Sequence, residues 1–403
     1  MTIANRMDKL GTETAFAVGL EAANLAKTGK KIYPFHLGDI NVITPKNIRE
    51  ATKAALDSGK TGYCPTAGIP ELRNALAADV GKARGLDLTA DNVSIQPGGK
   101  PVIGKFIQIL MDPGDEVLYP NPGYPIYESM IDYFGGVAKP YGFKETSTGF
   151  AIDIDAIEAM ITPKTRLFIY NNYQNPMGAE SDDDEMARLA SLCEKHDLKV
   201  LSDEAYFDIV YEGKGKSITS LPGMFERSVI LYTFSKRFAM TGWRLGAAIG
   251  PKQFIDQITR INVNDESCSN HFNQYGAVEA LEGPQVEVKA LLATLKERRD
   301  AAVSVLNTIP GFVVHKPNCT FYLFVNVTEA MAKMGIDDVG VFRKLVLNET
   351  GVSFCTRNHF GTPLPDETHK YIRFAYSGIE TDQITEGLSK LKAFIISKTK
   401  KSE

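Results

Sequence analysis

The sequence predicts an α/β fold, a large domain with a mostly parallel sheet between helices, joined to a smaller α+β domain. Three observations lead there. Short runs rich in β-branched and aromatic residues, among them Leu167–Tyr170, Lys199–Ser202 and Val229–Phe234, are separated by stretches of helical periodicity. Beyond Gln285 that order gives way to a long amphipathic helix and then to strands and helices without strict alternation, an α+β texture. With 403 residues the chain has room for two domains. The expected division is an N-terminal arm that belongs partly to the small domain (1–44), a large domain (45–284) and a small C-terminal domain (285–403).

Taken in order, the alanine- and leucine-rich segment Thr12–Lys27 reads as a helix ended by Thr28-Gly29-Lys30, followed by a strand Ile32–Leu37 and a turn at Gly38-Asp39-Ile40. Pro45–Ser58 is helical. Glycines and prolines shape the loop from Gly62 to Pro70 ahead of the next helix. Asn92–Gln96 is a strand; Pro97-Gly98-Gly99-Lys100-Pro101 then opens a helix to Met111, whose apolar run is broken by Lys105. Glu116–Tyr119 is a strand that leads into the loop Asn121–Pro125. Leu167–Tyr170 ends in Asn171–Gly178, and Ser181–Glu185 places acids at the positive end of a helix. Lys199–Ser202 delivers Asp203-Glu204-Ala205-Tyr206, and Val229–Phe234 delivers Ser235-Lys236. After Gly250 the chain is helical, interrupted by a polar loop Asn262–Asn270. A helix Gln285–Leu306, strands Phe312–Lys316 and Phe321–Val327, a helix Gly340–Thr350 and a strand Tyr371–Ala375 complete the small domain, and Thr399–Glu403 is a solvated tail.

Composition excludes several classes. A formal net charge of −4 speaks against a nucleic-acid partner, which needs a basic face. Five scattered cysteines with no CxxC pair fit reduced thiols, and six histidines without a His-Glu-x-x-His pattern give no metal centre. Nothing resembles a signal peptide, and no apolar stretch is long enough for a bilayer, so a cytoplasmic protein is expected.

The chemistry concentrates around Lys236. An amine at a strand end is exposed, paired or covalently occupied. The hydroxyls of Thr233 and Ser235 precede it and Arg244 follows eight residues later, types that suit a dianionic phosphate. Upstream, Gly98, Gly99 and Lys100 stand between a strand and a helix, where backbone N–H groups and the helix dipole favour an anion. A lysine beside a phosphate pocket points to an amine that bonds covalently to a phosphorylated aldehyde. Alone, each residue has a plainer reading: Lys236 as a surface cation, Asp203 as a helix cap, Tyr124 as core.

Together they resemble the aspartate aminotransferase family, the fold type I enzymes that use pyridoxal 5′-phosphate (PLP). Thr233-Phe234-Ser235-Lys236 and Gly242-Trp243-Arg244-Leu245-Gly246 match its lysine segment, Gly62–Arg73 its Tyr-x-x-x-x-Gly-Ile-Pro-Glu-Leu-Arg, and Asn175-Pro176-Met177-Gly178 its Asn-Pro-x-Gly. The resemblance runs from about Gly38 to Arg373 and implies a seven-stranded, mostly parallel sheet. It also implies roles: Lys236 as the covalent and proton-moving amine, Asp203 beside the pyridine nitrogen, Tyr206 and Asn175 on the phenolic oxygen, Tyr124 stacked on the ring. Gly99, Lys100, Thr233, Ser235 and Arg244 would hold the phosphate, with Tyr63 supplied by the neighbouring subunit of a homodimer. Gly38 and Arg373 would bind the substrate carboxylate.

The implied reaction is ping-pong transamination between an amino acid and a 2-oxo acid, with a lyase or cyclase on the same scaffold as the alternative. A PLP-sensing regulator would need a DNA-binding domain, for which there is no room before Thr12. For the substrate, Lys100 resembles a lysine of the bacterial branch that attracts a distal carboxylate, favouring aspartate or glutamate. Asp265 and Glu266, on the loop that in the resemblance reaches into the neighbouring subunit's site, argue instead for a basic or polar side chain, and the alternative substrate is a basic, aromatic or neutral amino acid.

Overall fold

The computed structural model describes residues 3–11 and 14–399. Its centre is a seven-stranded sheet of β1 (Val93–Gln96), β2 (Glu116–Pro120), β3 (Val137–Tyr141), β4 (Thr165–Tyr170), β5 (Lys199–Asp203), β6 (Ser228–Thr233) and β7 (Gly246–Ile249), in the order β1-β7-β6-β5-β4-β2-β3. Only β7 runs against its neighbours; the remaining pairings are parallel. The inner strands are apolar along nearly their whole length because helices cover both faces. Alternate residues go to opposite layers: Ile230 and Tyr232 pack with the helices Pro70–Arg84 and His271–Glu282, while Val229 and Leu231 pack with Lys100–Leu110 and Lys252–Asp265.

A second core gathers the C-terminal third. Here β8 (Tyr322–Asn326), β9 (Cys355–Thr356) and β10 (Tyr371–Ala375) form an antiparallel sheet in the order β8-β10-β9, covered by the helices Val286–Leu306 and Thr381–Thr399. The N-terminal segment joins it, since Tyr33–Pro34 pairs in parallel with Val352–Ser353, and Phe35 O accepts from Ala375 N at 2.8 Å.

Several expected elements differ. The first strand is only the two residues Tyr33–Pro34, and the first helix is Ala15–Ala26, with Thr12 outside the described residues. Phe312–Lys316 forms no strand; a single antiparallel bridge joins Val313 to Asn326. The helix Lys252–Asp265 continues through Asn262, which is 1 % exposed, so the polar loop shrinks to Glu266–Asn270. The Asn262 side chain belongs to a buried hydrogen-bond network rather than to solvent. Thr399 closes the last helix, and Lys400–Glu403 lie outside the described residues. Strands β3 and β7 were not foreseen: Lys139-Pro140 and the small residues Gly246-Ala247-Ala248 lack the usual β signature. No helix among the described residues is long and apolar enough to cross a membrane.

Glu204, beside Asp203, is buried and paired with Arg84, whose Nε lies 2.6 Å from Glu204 Oε2 and whose guanidinium rests 3.7 Å above the Phe207 ring. Ser202 donates to the other oxygen, Oε1, at 2.9 Å. Removing one partner strands a charge away from water, so Arg84→Ala is expected to cost about 3–5 kcal/mol in urea unfolding; a loss below ~1 kcal/mol would count against a tight pair.

Candidate active site

Parallel strands bring their C-terminal ends to one edge, so residues far apart in sequence face a shared space. Asn171 follows β4, Asp203 ends β5, Thr233 ends β6, and the turn after β1 carries Gly98-Gly99. Together with the small-domain residues Tyr322 and Arg373 they line a cavity of about 550 Å³.

One corner is built for an anion. Gly98 has φ 110°, and a Cβ there would sit 2.4 Å from Arg244 Nη2, so glycine alone lets the backbone lie against the guanidinium. A Cβ on Gly99 would meet Leu231 Cδ2 at 2.8 Å. The helix Lys100–Leu110 starts here, with the positive end of its dipole toward the corner. Arg244 is itself in the left-handed region (φ 53°) and is anchored through Nη1 to Thr241 O at 2.8 Å. Thr233 donates to Ser235 Oγ at 3.0 Å, and Ser235 N–H returns to Thr233 Oγ1 at 3.2 Å. Lys100 Nζ lies 5.8 Å from the Tyr124 ring centre.

The floor is Asp203, 5 % exposed. Tyr127 donates to its Oδ2 at 2.6 Å and Ala205 N–H to its Oδ1 at 3.1 Å. Burial lifts its carboxyl to about 6 despite those two donors, and the neighbouring Glu204 adds to the rise. Such a carboxylate is made to face a cation. Asn171 steadies the same region, donating to Asp203 O at 3.0 Å and accepting from Asn175 N–H at 3.1 Å.

The opposite wall holds the buried guanidinium of Arg373, flat between Tyr322 at 4.5 Å and Phe360 at 4.6 Å. It donates to His36 O at 2.7 Å and to Asn175 Oδ1 at 3.1 Å, while its Nε has no partner among the described residues. Because Asn175 Oδ1 is occupied by Arg373, the amide offers its NH₂ elsewhere. Tyr206 shares a 2.7 Å hydrogen bond with Tyr322, and burial pushes its hydroxyl well above the usual tyrosine value. Lys236 Nζ donates to Gly38 O at 2.9 Å. A Cβ on Gly38 would come within 2.2 Å of Tyr322 Oη, so that turn too needs glycine.

Thus Gly38, Gly99, Lys100, Tyr124, Asn175, Asp203, Tyr206, Thr233, Ser235, Lys236, Arg244 and Arg373 meet at one cavity. Tyr63 does not; it is 89 % exposed. Asp265 lies outside the cavity, and Glu266 is paired with the buried Lys105, so neither acid faces the cavity of its own chain. Sequence reasoning missed Tyr127, Tyr322, Asn171 and His359, the last a cavity residue whose imidazole burial holds below its ordinary value. Tyr127 and Tyr322 are tyrosines among apolar neighbours, and nothing local marks them.

Residues 32–391 match the family model for aminotransferase class I and II. The chain belongs to this family. A probable aspartate/prephenate aminotransferase of Aquifex aeolicus is 31 % identical over 97 % of this chain and 98 % of its own length. An aspartate aminotransferase of Bacillus subtilis is 30 % identical over 98 % and 99 %. The solved structure of Thermus thermophilus aspartate aminotransferase with maleate superposes with a TM-score of 0.89 at 27 % identity, covering 98 % of this chain and 99 % of that one. As a class I and II aminotransferase, the enzyme transfers an amino group between an amino acid and a 2-oxo acid, and its fold is that of the fold type I enzymes.

The Asp203 carboxyl makes stability depend on pH. Its folded value of about 6 exceeds the ordinary 3.8, so between those values the folded chain holds more protons than the unfolded one. Stability therefore falls as pH rises through that window. In the ligand-free enzyme, Asp203→Asn is expected to raise the urea midpoint relative to the parent more at pH 8 than at pH 4; an equal difference at both would contradict the burial argument.

Proposed function

We propose that this aminotransferase works with PLP and prefers a dicarboxylic donor, aspartate or glutamate. The carrying observation is that Lys236, Asp203, Arg244 and Arg373 line one cavity, with an anion corner and an orphaned guanidinium nitrogen at opposite sides. Those features fit the cofactor. Arg244, Thr233, Ser235 and the Gly98–Lys100 turn would take its phosphate, Asp203 its pyridine nitrogen, Asn175 and Tyr206 its phenolic oxygen, and Tyr124 the face of its ring.

When bound, PLP supplies an aldehyde that accepts the amino group and a ring that absorbs the electrons of the breaking Cα–H bond. The chain's own residues do the rest. Arg373 grips the α-carboxylate with two parallel donors, a fork that lysine lacks. Gly38 N–H adds a third contact. The Lys236 amine, positioned by Gly38 O, moves the substrate's α-proton. Asp203, oriented by Tyr127, would hold the pyridine nitrogen in its protonated form. The first product is a 2-oxo acid, and a second 2-oxo acid completes a ping-pong cycle.

Lys100 lines the same cavity and supports the acidic substrate, whose distal carboxylate it would attract. The commitment of Glu266 to Lys105 weakens the basic-substrate reading. A solved relative named as an aspartate aminotransferase with maleate, a dicarboxylate, points the same way. We further propose a homodimer, supported by the exposed Tyr63, whose hydroxyl would serve the partner's phosphate, and a division into 1–44 with 285–403 and 45–284.

Borohydride treatment of the PLP-loaded protein should fix the cofactor on Lys236, and Lys236→Ala should abolish the adduct; an adduct retained by that variant would sink the assignment. With a panel of donors and 2-oxoglutarate or pyruvate, aspartate or glutamate should rank first. Lys100→Ala should lower their kcat/KM by about tenfold, a charged hydrogen bond's worth, and alanine's far less. Preference for lysine, ornithine or arginine would overturn the substrate reading, and sedimentation as a monomer would remove the shared site.

A further inference from the structure

Lys105 breaks an apolar helix and is 2 % exposed. It lies on the helix Lys100–Leu110, about 7.5 Å along the axis from Lys100. Its ammonium donates to Gln96 Oε1 at 2.9 Å, to Asn262 Oδ1 at 2.6 Å and to Glu266 Oε1. Three protons thus have three acceptors, which is what a buried ammonium needs to stay charged.

The acceptors come from separate elements. Gln96 ends β1 and is followed by the Pro97-Gly98-Gly99 turn, whose Gly98 N–H returns to Gln96 O at 2.7 Å. Lys105 therefore ties the residue before the turn to the helix after it. Asn262 continues the tie, donating from Nδ2 to Ser94 Oγ at 3.3 Å and to Thr66 O at 3.5 Å, in the loop that carries Tyr63. Glu266 is the first residue beyond the helix Lys252–Asp265.

We propose that Lys105 is a positioning residue for the phosphate end of the cofactor, its ammonium holding the Gly98–Lys100 turn at the distance that Arg244 and the helix N-terminus require. The inference rests on the PLP reading above. Without the ammonium, a carboxylate and two amide oxygens face each other with no shared donor, and the turn is released at both ends. The Gly98 backbone lies against Arg244, so both phosphate-binding elements shift together. Asp203, Asn175 and Tyr206, which would hold the ring, are anchored by other contacts. The damage should therefore fall on the phosphate and spare the ring.

Pyridoxal, which lacks the phosphate, separates the two. Ligand-free parent, Lys105→Met and Glu266→Gln proteins would be titrated with PLP and with pyridoxal, following absorbance. In Lys105→Met the preference for PLP over pyridoxal should drop by about tenfold or more, the scale of a lost charged hydrogen-bond set, with pyridoxal affinity nearly as in the parent. Glu266→Gln, which keeps the ammonium and an acceptor at each position but removes the counter-charge, should shift the ratio the same way by less, and it carries the measurement if Lys105→Met fails to fold. Equal weakening of both ligands, or an unchanged ratio, would overturn the inference. A parent that does not bind PLP overturns the cofactor reading, and this one with it; a parent that binds while the variants keep its ratio overturns this one alone.

Discussion

A carboxylate kept away from water is costly unless donors surround it, and the architecture is arranged around one such group. Asp203 ends a central strand with helices on both faces of the sheet, which makes the floor apolar. Tyr127 and the Ala205 N–H hold the carboxyl in one orientation, but they do not offset the burial, and its affinity for a proton stays raised. The stress is useful. A cation placed above it would restore the missing counter-charge, which is what the protonated ring nitrogen of the proposed cofactor would supply. The adjacent Glu204 is treated differently: Arg84 neutralises it, and Ser202 and Ser217 complete its hydrogen bonds. Two neighbouring acids thus take opposite tasks, one structural and satisfied, one poised.

The second constraint is that the site needs both cores. The anion corner and Asp203 belong to the seven-stranded sheet, while Arg373 and Tyr322 belong to the small antiparallel one. The contacts that cross between them include Arg373 to Asn175, Tyr322 to Tyr206, and Lys236 to Gly38. On the proposed roles, the first and the third join a group for the cofactor to a group for the substrate carboxylate.

Much of this was legible because strand ends advertise themselves. Val229–Phe234 is unmistakably β, and the Ser-Lys that follows can only be a strand-end pair; the same reasoning placed Asp203. Glycines before a helix marked the anion corner. What stayed hidden has physical causes. Gly246-Ala247-Ala248 forms a strand because it is confined between two others, and small residues give no periodic signal. Asn262 looked like loop because its polarity suggested solvent, whereas it is buried by a lysine that needed acceptors. Phe312–Lys316 has strand composition but finds only one bridging partner. Tyr127 and Tyr322 act through distances that no linear pattern encodes.

The pairing of Tyr33–Pro34 with Val352–Ser353 has a temporal meaning during synthesis. A ribosome releases the last strand of the large sheet, ending at Ile249, 124 residues before Arg373 (373 − 249), and at about 5–20 residues per second that is roughly 6–25 s. Through that interval the nascent chain can own a finished sheet, an anion corner and Lys236, yet lack the guanidinium for the substrate carboxylate. Its N-terminal segment waits longer, over 319 residues (353 − 34), for the strand it pairs with. On the proposed roles, the groups for a phosphate thus emerge before the group for an amino acid's carboxylate, and the last helix is made after both.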